Sequence, residues 1–206
     1  MVPNGFSKRE LKMLRQLHTP EKVAQFLDEK IDYNKEPGGP TCHSARTALR
    51  EGVAHCVEGA LLASAALELQ GRQPLIWDLE AIRDDDHVLA LYQENGCWGA
   101  IAKSNYAGLR HRAPVYRTLR ELAMSYFEHY YNPRGEKTLR GYGARPVSLK
   151  RFDPKVDWRA AAGNVWEVPE YLCEIAHRPI LQSAAARRRY RMDKRLYEAG
   201  FHGAIR

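Results

Sequence analysis

The stretch GVAHCVEGALLASAALELQG, residues 52–71, contains an apolar helix that begins at a cysteine. Small and aliphatic residues follow Cys56, and Gly71 is a natural helix stop. A structural cysteine usually lies inside such an apolar run, whereas Cys56 stands at its start, directly after His55. We therefore predict a buried helix from Cys56 to about Gln70 with a thiol at its N-terminal end.

The N-terminal end of a helix favours the thiolate, because unpaired backbone N–H groups and the helix dipole stabilise negative charge there. The same N–H groups can hold the oxyanion of a tetrahedral intermediate. Taken alone, however, Cys56 is more consistent with a small buried hydrophobic residue, as most free cysteines are. A catalytic interpretation requires a base close to the thiol.

The apolar segments that follow predict an antiparallel sheet. PLIWDL, residues 74–79, is typical of a buried strand, and residues 87–92 and 97–103 form two further strands. Glu94-Asn95-Gly96 joins these two strands, and Asn-Gly is the strongest short signal for a hairpin. We therefore expect a tight two-residue turn that fixes how the two strands pair.

His87 begins the first strand of this hairpin and is the candidate base, although alone it is as consistent with a surface histidine. Counting outward from the turn places His87 opposite Ser104, whose hydroxyl would then orient the imidazole ring. A one-residue bulge would bring Asn105 to that position instead. A nucleophile, a base and an orienting residue form a triad, so the predicted catalytic residues are Cys56, His87 and either Ser104 or Asn105.

The remaining chain is predicted to be mainly helical, so the whole is an α+β fold with an antiparallel sheet. It divides into an N-terminal helical segment over residues 1–40, a core over 41–150 and a C-terminal helical extension with a basic tail over 151–206. With 206 residues, these parts are expected to form one compact domain. Further elements are expected at 7–31 (helical, with a break at Thr19-Pro20), 35–40 (loop), 44–50 (helix), 84–86 (loop), 116–131 (helix), 147–149 (strand), 157–162 (helix) and 169–177 (helix).

Composition is that of an ordinary soluble protein, with 44% hydrophobic and 28% charged residues. No apolar run approaches the length that spans a membrane, and the first residues carry no export signal. We therefore expect a cytoplasmic protein without a membrane partner. Its four cysteines are accordingly expected to be free thiols: Cys42, Cys56, Cys97 and Cys173.

Two other kinds of site are conceivable. The net charge is +7, and the basic run ARRRYRMDKR, residues 186–195, could bind the phosphates of a nucleic acid. More often such a run is a solvated helix face, so we do not favour a nucleic-acid partner. Cys42-His43 and His55-Cys56 could supply zinc ligands, but no Cys-x-x-Cys pair is present. We expect neither a metal nor a cofactor.

These motifs resemble the transglutaminase-like branch of the papain-like cysteine enzymes, most closely a group of bacterial transglutaminase-like proteins. The resemblance covers about residues 40–131 and is carried by AHCVEGALLASAALELQG, DDDHVLALYQENGCWGAIAKSNY and RAPVYRTLRELAMSYFEHYY. It implies a papain-like core, in which the cysteine-bearing helix packs on an antiparallel sheet, plus extra helices. Cys56 and His87 match the family's cysteine and histidine. The family's acidic residue has no counterpart between Trp98 and Asn105, so the resemblance leaves its place to Ser104 or Asn105.

The resemblance implies cysteine-dependent acyl transfer, or hydrolysis of an amide or peptide bond, through a thioester. The expected substrate is a protein or peptide. The alternative is a weak or inactive member of the fold that binds protein or nucleic acid. The missing acid favours the alternative, whereas the retained pair of Cys56 and His87 favours the enzyme. The sequence leaves open the choice between hydrolase and acyltransferase, the substrate and the oligomeric state.

Overall fold

The computed structural model describes residues 5–182, 185 and 188–204. Over these residues the fold is α+β, as predicted, with seven α-helices and a seven-stranded antiparallel sheet. None of the described helices combines the length and apolar character needed to cross a bilayer.

Two helices open the described chain, separated at the predicted break. Helix α1 spans Lys8–Gln16 and helix α2 spans Pro20–Lys30. Ser7 caps α1 by accepting the N–H of residue 10, and Thr19 caps α2 by accepting that of residue 22. Proline follows Thr19 at the first helical position, where its missing N–H costs nothing.

The cysteine-bearing helix lies where the sequence predicts it. Helix α3, Ala45–Glu51, ends at Gly52, which adopts a left-handed conformation with φ of 69°. Strands β1, Asp32–Tyr33, and β2, Val53–Ala54, then pair in parallel and bring the chain after α2 to the start of the next helix. Helix α4 follows as Cys56–Leu69 and is buried on nearly all sides.

The main sheet contains seven described strands: β3, Leu75–Ala81; β4, His87–Glu94; β5, Cys97–Ile101; β6, Arg112–Tyr116; β7, Leu139–Gly143; β8, Val147–Ser148; and β9, His177–Pro179. Their order is β6-β5-β4-β3-β7-β9, and β8 pairs beside β3. Every pairing in the sheet is antiparallel. The edge strand β6 was not predicted; it contains Pro114, which an edge position tolerates.

The predicted hairpin is confirmed at its turn. Asn95 and Gly96 have φ of 50° and 77°, and positive φ at both positions is the signature of a type I′ turn. Pairing proceeds outward with the predicted register as far as Ala90–Ile101. There the ladder ends, so the predicted pairing that extends to residues 87 and 104 is wrong. The chain after Ile101 contacts α2 instead, where the buried side chain of Lys103 donates to the carbonyl oxygens of Leu27 and Ile31.

Alternate residues of the central strands face two different helices. Val88 and Ala90 belong to the core formed with α4, whereas Leu89 and Leu91 face helix α5, Leu119–Phe127. The core on the α4 side also includes Trp158 and side chains of α1 and α2. The N-terminal helices and the C-terminal extension therefore pack against the same core as the central part.

Two helical predictions need correction. Helix α5 is shorter than residues 116–131, because the chain before Thr118 belongs to β6 and Thr118 caps the helix. Residues 158–160 form a turn that does not continue into the helix predicted over 157–162: the Asp157 carboxylate accepts the N–H groups of Arg159 and Ala160, but Gly163, a poor helix former, follows shortly after.

The C-terminal extension is less helical than predicted. Helix α6 spans Glu167–Glu174, and the chain then enters β9. Asp193 caps a last helix, α7, Lys194–Gly200. The first two residues of the predicted basic run, at positions 186 and 187, lie outside the described residues. In the described part of the run, Nη1 of Arg189 lies 3.6 Å from Oε1 of Glu136.

Candidate active site

A cleft of about 550 Å³ lies at the N-terminal end of α4. Its lining includes all of the predicted catalytic residues, Cys56, His87, Ser104 and Asn105. Cys56 is the first residue of α4, His87 is the first residue of β4, and the other two follow β5. The fold thus brings together at one cleft the residues that the sequence analysis selected.

Cys56 is a partly exposed residue of this cleft, and its Sγ lies 3.9 Å from the main-chain carbonyl oxygen of Asp86. The imidazole rings of His55 and His87 both act on the pKa of this thiol. Burial by itself raises the pKa of Cys56, but the two rings outweigh burial and lower it to about 6. Cys56 is therefore mainly a thiolate at neutral pH.

His87 is buried, and its ring is fixed by a main-chain group. Its Nε2 atom lies 3.0 Å from the carbonyl oxygen of Leu109, so the hydrogen-bonding pattern assigns the proton of the neutral ring to Nε2. Nδ1 then carries the lone pair that can accept a proton. The ring of Tyr130 packs edge-on against His87, with 6.3 Å between centroids, and limits its rotation.

Ser104 does not have the predicted role of orienting His87. Its hydroxyl oxygen accepts the N–H of Tyr106 at 3.0 Å and so stabilises the turn that follows β5. That turn leads into the short 3₁₀ helix Ala107–Leu109, whose last residue supplies the carbonyl oxygen to His87. Ser104 therefore supports the path of the chain to the orienting group, and Asn105 lines the cleft beside it.

His55 is closer to the chemistry than the sequence analysis indicated. It is the N-cap of α4: its Nδ1 accepts the N–H of Val57 at 3.2 Å, and its Nε2 lies 2.9 Å from the carbonyl oxygen of Thr41. Burial lowers the pKa of His55, but the neighbouring Cys56 and the negative charge of Glu58 raise it to about 9. Histidine is uncommon as an N-cap residue, so its position directly before the predicted helix was the one sign in the sequence that His55 has a special role.

Glu58 is a fully buried carboxylate that the sequence analysis missed. Burial raises its pKa, yet the charge of His55 and the surrounding donors lower it overall. Its position three residues after the cap predicts only the bond to the backbone of His55. Four groups donate to its two oxygens: the Thr41 hydroxyl at 2.7 Å, the His43 and His55 N–H groups at 2.9 Å each, and the Asn34 side-chain amide at 3.2 Å.

The cleft is acidic and aromatic although the chain has an excess of basic residues. Among the described residues that line it there is no lysine or arginine. The carboxylate of Asp84 accepts the Thr138 hydroxyl at 2.6 Å and lies close enough to His87 for their charges to interact. The carboxylates are Glu36, Asp84, Asp85 and Asp86, and the aromatic residues are Tyr33, Tyr106, Tyr130, Tyr131 and Trp166.

The other cysteines differ from Cys56 in environment. Burial raises the pKa of Cys42 to about 12, and its thiol donates to the Val165 carbonyl at 3.6 Å. Cys173 is exposed, and its pKa is also raised, by partial burial and nearby carboxylates. Within the described part of the chain, no group of three or more His, Cys, Asp or Glu side chains is arranged to hold a metal ion.

Comparison with models of known protein families and with curated proteins gives no match for this chain. The site is described by its geometry: a thiol at a helix start, two histidine residues that line the same cleft, and a base whose ring is oriented by a carbonyl oxygen.

Proposed function

We propose that this protein is a transglutaminase-like cysteine enzyme, with a papain-like core, that transfers or hydrolyses an acyl group through a thioester on Cys56. One observation carries the proposal: the thiol that begins α4 shares a cleft with His87, whose Nε2 lies 3.0 Å from the Leu109 carbonyl oxygen, so that Nδ1 can act as the base. The order of a cysteine-led helix before a histidine-led strand agrees with the resemblance.

Acylation requires a nucleophile and a proton carrier. The Cys56 thiolate, whose proton Nδ1 of His87 has taken, attacks the carbonyl carbon of an amide. The C–N bond then breaks while the imidazolium gives its proton to the departing nitrogen. The products of this step are an amine or ammonia and a thioester on Cys56.

Deacylation uses the same two residues. Water or a primary amine attacks the thioester carbon, His87 accepts its proton, and the C–S bond breaks to regenerate Cys56. Hydrolysis or acyl transfer then follows from which of these nucleophiles reaches the thioester.

The oxyanion is stabilised by the start of α4. The N–H of Cys56 belongs to the first turn, whose N–H groups have no carbonyl partner within the helix. Such a donor near the attacked carbon can bind the negative oxygen of the tetrahedral intermediate. The cleft above Cys56 has room for a peptide side chain, so we propose a protein or peptide as the substrate.

The test is to trap the thioester. We expect p-nitrophenyl acetate to acetylate Cys56, as located by mass spectrometry, and neutral hydroxylamine to remove the acetyl group. Cys56→Ala should abolish the adduct, and Cys97→Ala serves as the control that should keep it. Absence of any adduct on Cys56 in folded protein would leave the binding module as the remaining function.

A glutamine-containing peptide then separates the two reactions. Release of ammonia without an amine indicates hydrolysis, and incorporation of a labelled primary amine indicates transfer. Cleavage of the peptide chain indicates a protease. The four free thiols fit a reducing compartment, and we propose the cytoplasm.

A further inference from the structure

A second cavity, of about 360 Å³, lies between the turn at residues 133–135 and the segment 191–197 near the C-terminus. We call it the tail pocket. Its lining residues are Pro133, Arg134, Gly135, Arg191, Met192, Lys194 and Tyr197. Two segments that are distant in sequence thus bring three cationic residues to one cavity, and no carboxylate is among the described residues that line it.

Hydrogen bonds hold the two walls of the tail pocket together. The N–H of Met192 donates to the carbonyl oxygen of Gly135 at 2.9 Å, and the Tyr197 hydroxyl donates to that of Pro133 at 2.8 Å. Nη1 of Arg191 donates to the carbonyl oxygen of residue 134 at 2.6 Å, which fixes the direction of its guanidinium. The walls are therefore preorganised, which lowers the cost of ordering them around a ligand.

The positive charge of the tail pocket is not neutralised from within the protein. Among the described residues, neither the guanidinium of Arg134 nor the ammonium of Lys194 has a hydrogen-bond or ion-pair partner. Two carboxylates adjoin these segments in the sequence, and both are engaged: that of Glu136 by Arg83 at 3.1 Å, and that of Asp193 by N–H groups of α7. An anion that enters the pocket therefore meets cations without competing carboxylates.

Main-chain donors of the pocket are already used. The N–H of Arg134 donates to the side-chain oxygen of Asn132 at 3.0 Å, and the N–H of Gly135 donates to the Asn132 carbonyl at 2.8 Å. The N–H of Met192 is engaged with Gly135, as described above. A bound anion must consequently be held by the cationic side chains, so substitution of those side chains is a direct test.

We propose that the tail pocket binds a small molecule that carries a phosphate group, through Arg134, Arg191 and Lys194. A phosphate group offers several acceptor oxygens and up to about two negative charges, whereas a carboxylate offers two oxygens and a single charge. Three converging cations match the phosphate, and the planar donor fork of arginine suits its oxygens. The volume of the pocket is in the range of small-molecule sites.

This site is separate from the chemistry proposed for Cys56. Pro133 lines both cavities, but none of the three cationic residues lines the cleft at α4. A nucleic acid would use the charge differently, because its backbone phosphates would also engage basic residues outside the pocket, such as Arg188. Dependence on the pocket residues alone therefore distinguishes a small phosphate ligand from a nucleic acid.

The experiment measures binding of inorganic pyrophosphate to the full chain by calorimetry at constant ionic strength, with acetate as the carboxylate probe. We expect saturable binding of one pyrophosphate and none of acetate at the same concentration. Arg134→Gln and Lys194→Gln should each weaken binding about tenfold or more, since each removes a charge-assisted contact. The control is Arg15→Gln on the exposed face of α1, which removes the same charge outside the pocket and should bind as the wild type.

Thermal unfolding is measured in parallel. Arg191→Gln also removes a bond to the turn, so Arg134→Gln and Lys194→Gln, which break no contact within the described protein, decide the outcome if the Arg191 variant fails to fold. Equal weakening in Arg15→Gln would show attraction by net charge alone and would overturn the proposal.

Two other results would also overturn it. One is the absence of binding in the folded wild type at millimolar pyrophosphate. The other is binding of a single-stranded oligonucleotide, but not of pyrophosphate, that Arg188→Gln weakens as much as Arg134→Gln does. Because these measurements do not involve Cys56, the presence or absence of its thioester decides the proposed function separately.

Discussion

Nε2 of His87 lies 3.0 Å from the carbonyl oxygen of Leu109, so a main-chain group takes the place that an acidic side chain has in a full triad. A carbonyl oxygen fixes the tautomer of the ring, but it carries no net charge with which to stabilise the imidazolium. The reactivity of Cys56 should therefore depend only weakly on the side chain of Ser104.

Ser104→Ala tests this directly. The substitution removes the acceptor for the Tyr106 N–H but leaves the Leu109 carbonyl in the chain. We expect the rate of Cys56 labelling at pH 6 to change by less than about threefold, or about 0.6 kcal/mol. A loss of tenfold or more, together with a gain in Ser104→Asp, would contradict orientation by the carbonyl and support the side chain.

His87→Gln should have a much larger effect on acyl transfer. Glutamine fills a similar space but cannot carry the proton between the thiol and the leaving group. We expect turnover of an amide substrate to fall on the order of 10²- to 10⁴-fold. Labelling of Cys56 should shift to higher pH, because one of the two rings that lower the pKa of the thiol is lost.

The recovery of labelling at pH 9 is the control for His87→Gln. At that pH the thiol ionises without the ring, so iodoacetamide should react while amide turnover stays low. Recovery of both reactions together would mean that His87 only lowers the pKa and does not carry the proton.

The pH profile of labelling distinguishes Cys56 from the other thiols. Because its pKa is lowered to about 6, the thiolate fraction and the labelling rate should reach half of their maximum near that pH and fall below it. Cys42, with a pKa raised to about 12, should stay unlabelled, and the exposed Cys173 should react only as the solution becomes alkaline. In denaturant the cysteines should be labelled at similar rates. Equal labelling of Cys56 and the other cysteines in the folded protein would contradict the assignment of Cys56 as a thiolate.

Local signals made one part of this site predictable. Helix α4 has an apolar run with a glycine after it, and the hairpin has Asn95-Gly96, whose positive φ values set the pairing up to Ala90–Ile101. These two elements place Cys56 and His87 at the start of a helix and the start of a strand. Both residues consequently line the same cleft.

The remaining parts depend on contacts that leave no local pattern. A backbone carbonyl, such as that of Leu109, is present at every residue, so no residue type marks it as the partner of His87. The burial of Glu58 follows from donors in a loop far away in sequence, Asn34 and Thr41. Lys103, just after the end of the ladder, likewise donates to a carbonyl oxygen of α2 that is distant in sequence.

Lys103→Met should destabilise the fold through α2. The buried amino group donates to the Leu27 carbonyl at 2.8 Å and to that of Ile31, and so satisfies acceptors at the helix end. Methionine preserves much of the volume but leaves these carbonyl oxygens without their donor, which costs about 1–3 kcal/mol. Urea denaturation measures the loss, and Lys30→Met on the exposed end of α2 is the control that should change stability little. Equal stability of the two variants would contradict the capping role of Lys103.

Gly59→Ala should affect both stability and the site. A Cβ atom at Gly59 would lie 2.4 Å from Cβ of Lys103, so α4 packs against the chain after β5 with no room for a methyl group. Alanine must push apart the segments that carry Cys56 and Ser104, at a cost of about 1–3 kcal/mol. We expect a lower denaturation midpoint in urea and slower labelling of Cys56 at pH 6, because the thiol moves relative to His87.

The matched control for Gly59→Ala is Gly163→Ala, where an added Cβ meets no atom within 4 Å. It should leave labelling unchanged and keep stability equal or raise it by about 0.4–1 kcal/mol, since alanine restricts the unfolded chain. If Gly59→Ala lowers stability but leaves the labelling profile of Cys56 intact, then the helix shifts without moving the thiol from His87. Gly59 is in the same first turn of α4 as Cys56. That result would therefore show that the close contact at Gly59 does not determine where the Cys56 thiol lies.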